Sequence, residues 1–333
     1  MDELGRWLQA FRGRPLVVLG DLVADEYLHG LTERISREAP VLVVREESRE
    51  VRPGGAANTA ANLAALGAAP RLLGLLGEDE AGARLRDALA RRGVPAGLLL
   101  DDPARPTTTK TRVVAGGRNT VRQQMLRIDR LPSAPPAEGL LARLARSLAG
   151  ALEGAEALVV SDYAEGVLAG AVLAEVQRVV SAGRLPVFVD SRLRVAEFHG
   201  VEALTPNEPE LALASGLELA VPGGLERAGR WLLERTGARA ALVKRGRNGM
   251  ALFVPGQPTQ GVRAYGGDEV ADVTGAGDTV LAAFSLARVA GAPPPEAMRL
   301  ANVAGGLKVR KAGTAVVEAA ELARALAGPG DVP

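Results

Sequence analysis

Short, continuous runs of aliphatic residues, spaced by longer amphipathic stretches, constrain this chain more than any other feature. Leu16-Val17-Val18-Leu19, residues 71–76, Leu158-Val159-Val160, Val187-Phe188-Val189 and Leu242-Val243 read as strands. Runs that are apolar at every position suit a sheet covered on both faces. Between them lie helical patterns at 80–92, 136–152, 166–182, 223–236 and 276–290. The second carries Leu140, Leu141, Leu144, Leu148 and Leu152, the i, i+4 stripe of an amphipathic helix. Strands alternating with helices of this length form βαβ units. The expectation is therefore an α/β fold, a Rossmann-like three-layer α/β/α sandwich around a mainly parallel sheet. No repeat of 20–50 residues competes with it.

Two stretches break the rhythm. Residues 27–51 contain Val41-Leu42-Val43-Val44 with no helix close behind. Residues 107–128 read as strand, then the turn-forming Ala115-Gly116-Gly117-Arg118-Asn119, then strand, a hairpin signature. Paired strands inserted in an α/β body form either a separate small sheet or edge strands of the main one. The first reading gives a main nucleotide- and substrate-binding domain of 1–26, 53–104 and 130–333. It leaves a discontinuous β lid of 27–52 and 105–129, whose exposed strands would pair two subunits into a homodimer.

Composition narrows the classes of function. The 40 Lys+Arg and 39 Asp+Glu leave a net charge of +1, too little excess to wrap a nucleic acid or coat an acidic membrane. Aromatics are 3%, which argues against base-stacking platforms and leaves the core to aliphatic residues. There is no cysteine and only His29 and His199, so thiolate chemistry and multi-histidine metal sites are excluded. Met1-Asp2-Glu3-Leu4 lacks the basic and apolar segments of a signal peptide, and the long uncharged stretch 53–70 carries Asn58 and Asn62. It reads as a buried helix, and the chain as cytoplasmic.

Asp272-Val273-Thr274-Gly275-Ala276-Gly277-Asp278 precedes the last helical pattern. Small residues there leave unpaired N–H groups and the positive end of a helix dipole, an anion site. An acid at Asp278 can accept the proton of a hydroxyl attacking a phosphoryl group; equally, Asp is a favoured helix cap. Gly54-Gly55-Ala56-Ala57-Asn58 also places glycines before a helix, with Gly67 and Gly77 beyond it. Asn58 offers a donor and acceptors to a polyhydroxylated ligand, or packs on a neighbouring loop. Asp21 and Asp25 follow the first strand, at the end of an α/β sheet where ligands bind.

Taken together, these motifs resemble the ribokinase-like (PfkB) carbohydrate kinases over nearly the whole chain, from about Pro15 to Ala327. The two signatures are the Gly54-Gly55…Asn58…Ala60…Gly67…Gly77 spacing and the segment from Asp272 to Ser285. The resemblance implies an ATP-dependent transfer of the γ-phosphoryl group to a sugar. Asp278 would be the general base, and the amides of Gly275, Ala276 and Gly277 the anion hole. Asp25, Gly54, Gly55, Asn58, Lys110 and Arg112 would bind the sugar. Asn207, Lys244, Gly246, Gly249, Thr274 and Asn302 would surround ATP. Asn207 and Glu210 would order Mg²⁺ through water, and Asp272 and Thr274 match a K⁺ site found in some members.

Within the family the likeness is to heptose 7-phosphate kinases, carried by Gly20-Asp21…Asp25, Arg34-Ile35-Ser36, Arg52-Pro53-Gly54-Gly55, Thr109-Lys110-Thr111-Arg112, Leu126-Arg127-Ile128-Asp129 and Ser161-Asp162-Tyr163. It implies D-glycero-β-D-manno-heptose 7-phosphate, phosphorylated at O1, as the acceptor. Ribose, fructose or a nucleoside on the same machinery, or a catalytically silent sugar-binding regulator, are the other readings. Between 105 and 130, Arg105, Lys110, Arg112, Arg118, Arg122, Arg127 and Arg130 face one acid, Asp129. Such a cluster would hold a substrate phosphate or form a solvated hairpin face. Glu165, Glu208 and Asp190-Ser191-Arg192 depart from the heptose-kinase pattern and bear on the sugar rather than the chemistry. The chain is expected to lack the nucleotidyltransferase domain fused to some heptose kinases.

Overall fold

The computed structural model describes residues 4–118, 120–267 and 270–327. Asn119 of the hairpin turn and the ends 1–3 and 328–333 lie outside the described residues. In chain order the elements begin with α1 (Gly5–Gln9), β1 (Pro15–Gly20), β2 (Leu22–Ile35), β3 (Leu42–Gly55), α2 (Ala56–Ala65), β4 (Ala69–Leu73), β5 (Leu75–Gly77) and α3 (Glu80–Arg91). There follow β6 (Leu100–Asp102), β7 (Thr109–Gly116), β8 (Gln123–Arg130), α4 (Glu138–Ala151), β9 (Ala157–Asp162), α5 (Gly170–Ala182), β10 (Val187–Ser191) and β11 (Ala203–Leu204). The rest are α6 (Glu208–Ser215), α7 (Gly224–Thr236), β12 (Ala241–Lys244), β13 (Met250–Phe253), β14 (Gln260–Val262), α8 (Ala276–Val289), α9 (Pro294–Val309) and α10 (Ala319–Ala327).

The main sheet runs β14-β13-β12-β11-β10-β9-β1-β4. Its pairs from β12 to β4 are parallel, and β13 and β14 add an antiparallel edge. Side chains alternate between two cores, as strand geometry demands. Leu16, Val18, Val159, Phe188 and Leu242 pack towards α2, α8 and α9. Val17, Leu19, Val160, Val189 and Val243 pack towards α4, α5 and α7. The expected three-layer sandwich is present.

Two departures from the sequence reading have physical causes. Residues 71–76 are not one strand, because the chain breaks at Gly74 and β5 leaves to pair with β6. A Cβ at Gly74 would stand 2.7 Å from the Gly20 carbonyl oxygen, so the chain passes close over the β1–β2 turn there. Residues 22–55 form two 14-residue strands, far more than the 41–44 run, and they pair from Leu22↔Gly55 outwards to Ile35↔Leu42. With β7 and β8 they build a four-stranded sheet, β3-β2-β7-β8. That sheet is rooted deeper in the body than boundaries at 27 and 52 would put it, and its inner ends carry Asp25, Gly54 and Gly55.

β4 lies on one side of β1 and β9 on the other, which makes the β1–β9 boundary the switch point of the sheet, where ligands bind in open α/β folds. Gly20 is required at this boundary. It pairs with Ser161, and a Cβ on it would collide with the Ser161 carbonyl oxygen. Gly20→Ala is expected to lower stability by about 1–3 kcal/mol through overpacking. Gly139→Ala, on α4 with open space around its Cβ position, is expected to stabilise by about 0.5–1 kcal/mol. Urea midpoints at unchanged m-value would check both.

Candidate active site

The site begins at α8. Gly275 caps the helix in the left-handed region, φ +77°. A Cβ there would also meet the Asn58 amide nitrogen at 2.5 Å, so glycine is needed for conformation and for space. The Ala276 amide donates to the Val273 carbonyl at 3.1 Å, closing a turn. The Gly275 and Gly277 amides have no partner among the described residues. Of the three expected anion-hole donors, two are thus open at the helix mouth, where the dipole favours negative charge.

Asp278, on the first turn, is 1% exposed. The Asn58 amide donates to Oδ2 at 2.8 Å and the Tyr163 hydroxyl to Oδ1 at 3.0 Å. Burial pushes its carboxyl up to about 7; Asn58 pulls it down, Asp190 pushes it up, and Tyr163 and Lys244 pull it down. Burial and the Asp278 charge also hold the Tyr163 hydroxyl well above its ordinary range, so that it stays a donor. Behind Asn58 the network continues. Asn62, one turn on in α2, donates to Asn58 Oδ1 at 3.2 Å, and the Thr279 hydroxyl donates to Asn62 Oδ1 at 3.0 Å. The chain fixes the Asn58 amide with its nitrogen towards Asp278.

At the inner end of the second sheet, Gly54 and Gly55 end β3. A Cβ at Gly54 would strike the Asp25 carboxylate, and one at Gly55 (φ +59°) would stand 2.5 Å from the Asp21 carbonyl oxygen. Asp25 is buried and forms an ion pair with Arg112 of β7, which lies over the Tyr27 ring. Tyr27 Oη and Thr314 Oγ1 are buried without partners among the described residues. Lys110 Nζ sits 5.4 Å from the centre of the Tyr163 ring. Positions 25, 54, 55, 58, 110, 112 and 278 therefore meet in one place.

The other carboxylate after β1 has a different task. Asp21 accepts from the Tyr163, Glu165 and Val167 amides, which holds the loop that carries Tyr163. In that loop Ala164 has φ +64°, an unusual conformation for a residue with a side chain. The basic cluster divides as well. Arg118, Arg122 and Arg127 pair with Glu33, Glu47 and Asp129 on the surface, and Arg130 is exposed. Only Arg105, Lys110 and Arg112 turn inwards.

Two clefts meet at Gly277. One of about 760 Å³ is lined by Gly246, Gly249, Tyr265, Asn302 and Gly305, and is largely apolar as a nucleoside site requires. Asn302 spends its amide on the Arg263 carbonyl at 2.7 Å. The other cleft, about 810 Å³, is lined by Asp162, Asp190, Asn207, Glu210 and Lys244. Lys244 donates to both oxygens of Asp190 at 2.7 and 2.9 Å, and a Cβ at Gly277 would lie 3.3 Å from its ammonium. Burial depresses Lys244, but Asp190 and Glu210 outweigh it and keep the amine charged.

Asn207 and Glu210 form a capping box at the start of α6, Asn207 Oδ1 accepting from Glu210 N at 2.8 Å and Glu210 Oε2 from Asn207 N at 2.7 Å. The other Glu210 oxygen, Oε1, accepts no hydrogen bond among the described residues. Among the described residues no group of three or more His, Asp or Glu side chains could hold a bare metal ion. Such a donor set fits Mg²⁺ that keeps its waters and is held mainly by phosphates.

Tyr163, Asn62, Thr279, Asp190 and Lys308 were not among the expected site residues. Asn58 and Asn62, four apart in an alanine-rich helix, carry a readable signal of a polar stripe. Tyr163 carries none beyond its neighbours. Asp272 accepts at its two carboxylate oxygens from the Thr274 and Gly313 amides, at 2.8 Å each. Its carbonyl accepts from Lys308 Nζ at 2.9 Å.

Residues 14–320 match the model of the pfkB family carbohydrate kinases. The chain belongs to that family. This kinase, a phosphotransferase acting on a carbohydrate, is 43% identical over 324 residues to the bifunctional protein HldE of Caulobacter vibrioides, covering 96% of this chain and 65% of that protein. It is 40% identical over 319 residues to the protein of the same name from Geobacter sulfurreducens, with 95% and 64% covered. The chain thus spans a little under two thirds of the length of these curated relatives. Solved structures share the fold. Arabidopsis thaliana ribokinase complexed with ribose and ATP has a TM-score of 0.71 at 24% identity, with 94% of this chain and 99% of that one covered. Phosphofructokinase-2 from Escherichia coli in complex with potassium has a TM-score of 0.73 at 20% identity, with 95% and 98% covered. Among the described residues no helix is long and apolar enough to cross a membrane.

An infrared pH titration of the folded kinase is expected to show one carboxyl changing state near pH 7 that disappears in Asp278→Asn and moves upward in Tyr163→Phe. The folded value lies above the ordinary 3.8, so the native state binds this proton more tightly than the unfolded chain. The stability it adds is complete below about pH 4 and is lost as pH rises towards about 7.

Proposed function

We propose that this kinase transfers the γ-phosphoryl group of ATP to O1 of D-glycero-β-D-manno-heptose 7-phosphate. The observation that carries the reading is the buried Asp278 carboxylate, fixed by Asn58 and Tyr163 beside the open amides of Gly275 and Gly277. A carboxylate held near neutrality suits a general base at physiological pH. In this mechanism the sugar hydroxyl takes up the bond now made by Tyr163 or Asn58 and gives its proton to Asp278. Its oxygen attacks the phosphorus in line. The amides of Gly275, Ala276 and Gly277 and the Lys244 ammonium meet the negative charge of the transferring group; for Ala276 this requires release of its turn bond. Asp25, Gly54, Gly55 and Asn58 orient the sugar, with Gly246, Gly249, Thr274 and Asn302 around the nucleotide. Asn207 and Glu210 would hold Mg²⁺ through its waters, and the ion would supply positive charge to the phosphate oxygens.

Three features support the heptose phosphate over an unphosphorylated sugar. They are the motifs shared with heptose 7-phosphate kinases, the high identity to proteins named HldE, and the inward-facing Arg105, Lys110 and Arg112. The sheet β3-β2-β7-β8 acts as a lid that excludes water, the competing acceptor. Its outer strand exposes Met125, Leu126 and Ile128, apolar surface that favours a homodimer through the lid.

A coupled assay with aldoses, nucleosides and their terminal phosphates tests the substrate. Heptose 7-phosphate is expected to exceed all others in kcat/KM, and preference for an unphosphorylated sugar would overturn it. Lys110→Ala is expected to raise KM about 10-fold for the phosphorylated acceptor, the loss of one charge-assisted hydrogen bond. Asp278→Asn is expected to lower kcat by about 10²–10⁴ with little change in binding. The acid limb of the wild-type kcat/KM profile is expected near pH 7.

A further inference from the structure

The end of α9 carries a lysine that no catalytic step uses. Lys308 is 0% exposed, a state almost never adopted by a lysine without partners. Its ammonium donates to the carbonyl of Asp272 at 2.9 Å and to that of Lys311 at 3.3 Å. Both acceptors belong to loops that frame the helix mouth. The 271–274 segment leads into Gly275, and its Asp272 is tied to Gly313 by a 2.8 Å hydrogen bond. The 311–314 segment packs on Gly275 from the far side, the Thr314 methyl lying 3.2 Å from where a Cβ of Gly275 would be. Arg52 of β3 donates to the next carbonyl of that loop, Ala312, at 3.0 Å.

Backbone carbonyls that converge beside a carboxylate are what a weakly hydrated monovalent cation binds, and the carbonyls of Asp272 and Lys311 converge on the Lys308 ammonium near the Asp272 carboxylate. The carbonyl of Asp272 is already satisfied by a covalently attached cation. A capping role at the C-terminus of α9 accounts for a basic residue in the last turn. It does not account for a fully buried one that reaches across to the carbonyl of Asp272.

We propose that Lys308 is a built-in substitute for a bound potassium ion: its ammonium supplies the single positive charge that holds the 271–274 and 311–314 loops around the anion hole. Lys308 is a positioning residue in this account, and the kinase needs no monovalent cation. The proposal concerns the cation and not the sugar, so it is tested without substrate.

Thermal unfolding is measured in potassium chloride and in choline chloride at equal ionic strength. The wild-type midpoint is expected to be the same in both, and a rise of several degrees in potassium would overturn the proposal. Lys308→Ala, which opens space for an ion, is expected to melt lower in choline and to recover at least half of the loss in potassium. Lys308→Met, which fills the space without a charge, is expected to show no recovery. Equal melting of Lys308→Ala in both salts would also overturn it. Should that variant not fold, rubidium-soaked crystals of the wild type decide. An anomalous peak at the Asp272 carbonyl refutes the substitution, and its absence there supports it.

Discussion

A carboxylate buried at the head of a helix is the constraint around which the site is built. Removing Asp278 from water is costly unless donors replace the lost hydration. Asn58 from α2 and Tyr163 from the loop after β9 are those donors. The same two contacts therefore bolt together α2, α8 and the β9 loop, elements far apart in the chain. The incomplete compensation keeps the proton affinity high, and a group left in that state is useful chemically. Burial without full compensation costs stability at neutral pH and leaves a carboxyl whose proton affinity lies near pH 7.

Around this centre the glycines have specific tasks. Gly20 lets β1 and β9 close at the switch point, Gly55 and Gly275 take positive φ, and Gly54 and Gly275 admit Asp25 and Asn58 at distances a methyl group would forbid. Gly54 and Gly275 bring a polar side chain close to backbone, and Gly20 and Gly55 bring backbone close to a carbonyl oxygen. The site is compact because its walls lack side chains.

Much of this was legible beforehand, and for identifiable reasons. Aliphatic runs buried on both faces mark the central strands, since no other structure covers them. Glycines ahead of helical patterns mark the helix mouths at 54–58 and 275–278. The remainder depends on contacts between distant parts of the chain. β2 interrupts its aliphatics with Asp25, Glu26, Tyr27 and His29 and shows no regular alternation, so its strand character comes from pairing with β3 and β7 rather than from its own pattern. Asn207 and Glu210, expected at a metal-ordering element, satisfy each other as a helix cap, and spacing alone does not separate the two readings. Lys308 is indistinguishable from a surface lysine until its burial is known. The division of the basic cluster into inward and outward members likewise follows from strand direction and from acids on β2 and β3 that lie 75 or more residues away.

β2 and β3 are continuous from Leu22 and Gly55 to their outer tips, with irregular register only at His29/Gly30 and Thr32/Arg34. No loop separates the inner from the outer half. Such a ribbon works as a lever. Its softest points are those two bulges, so a load on the tips is carried as torque to Asp25 and Gly54. Displacement of the tips and the placement of Asp25 against Gly54 are mechanically one event in a beam of this kind.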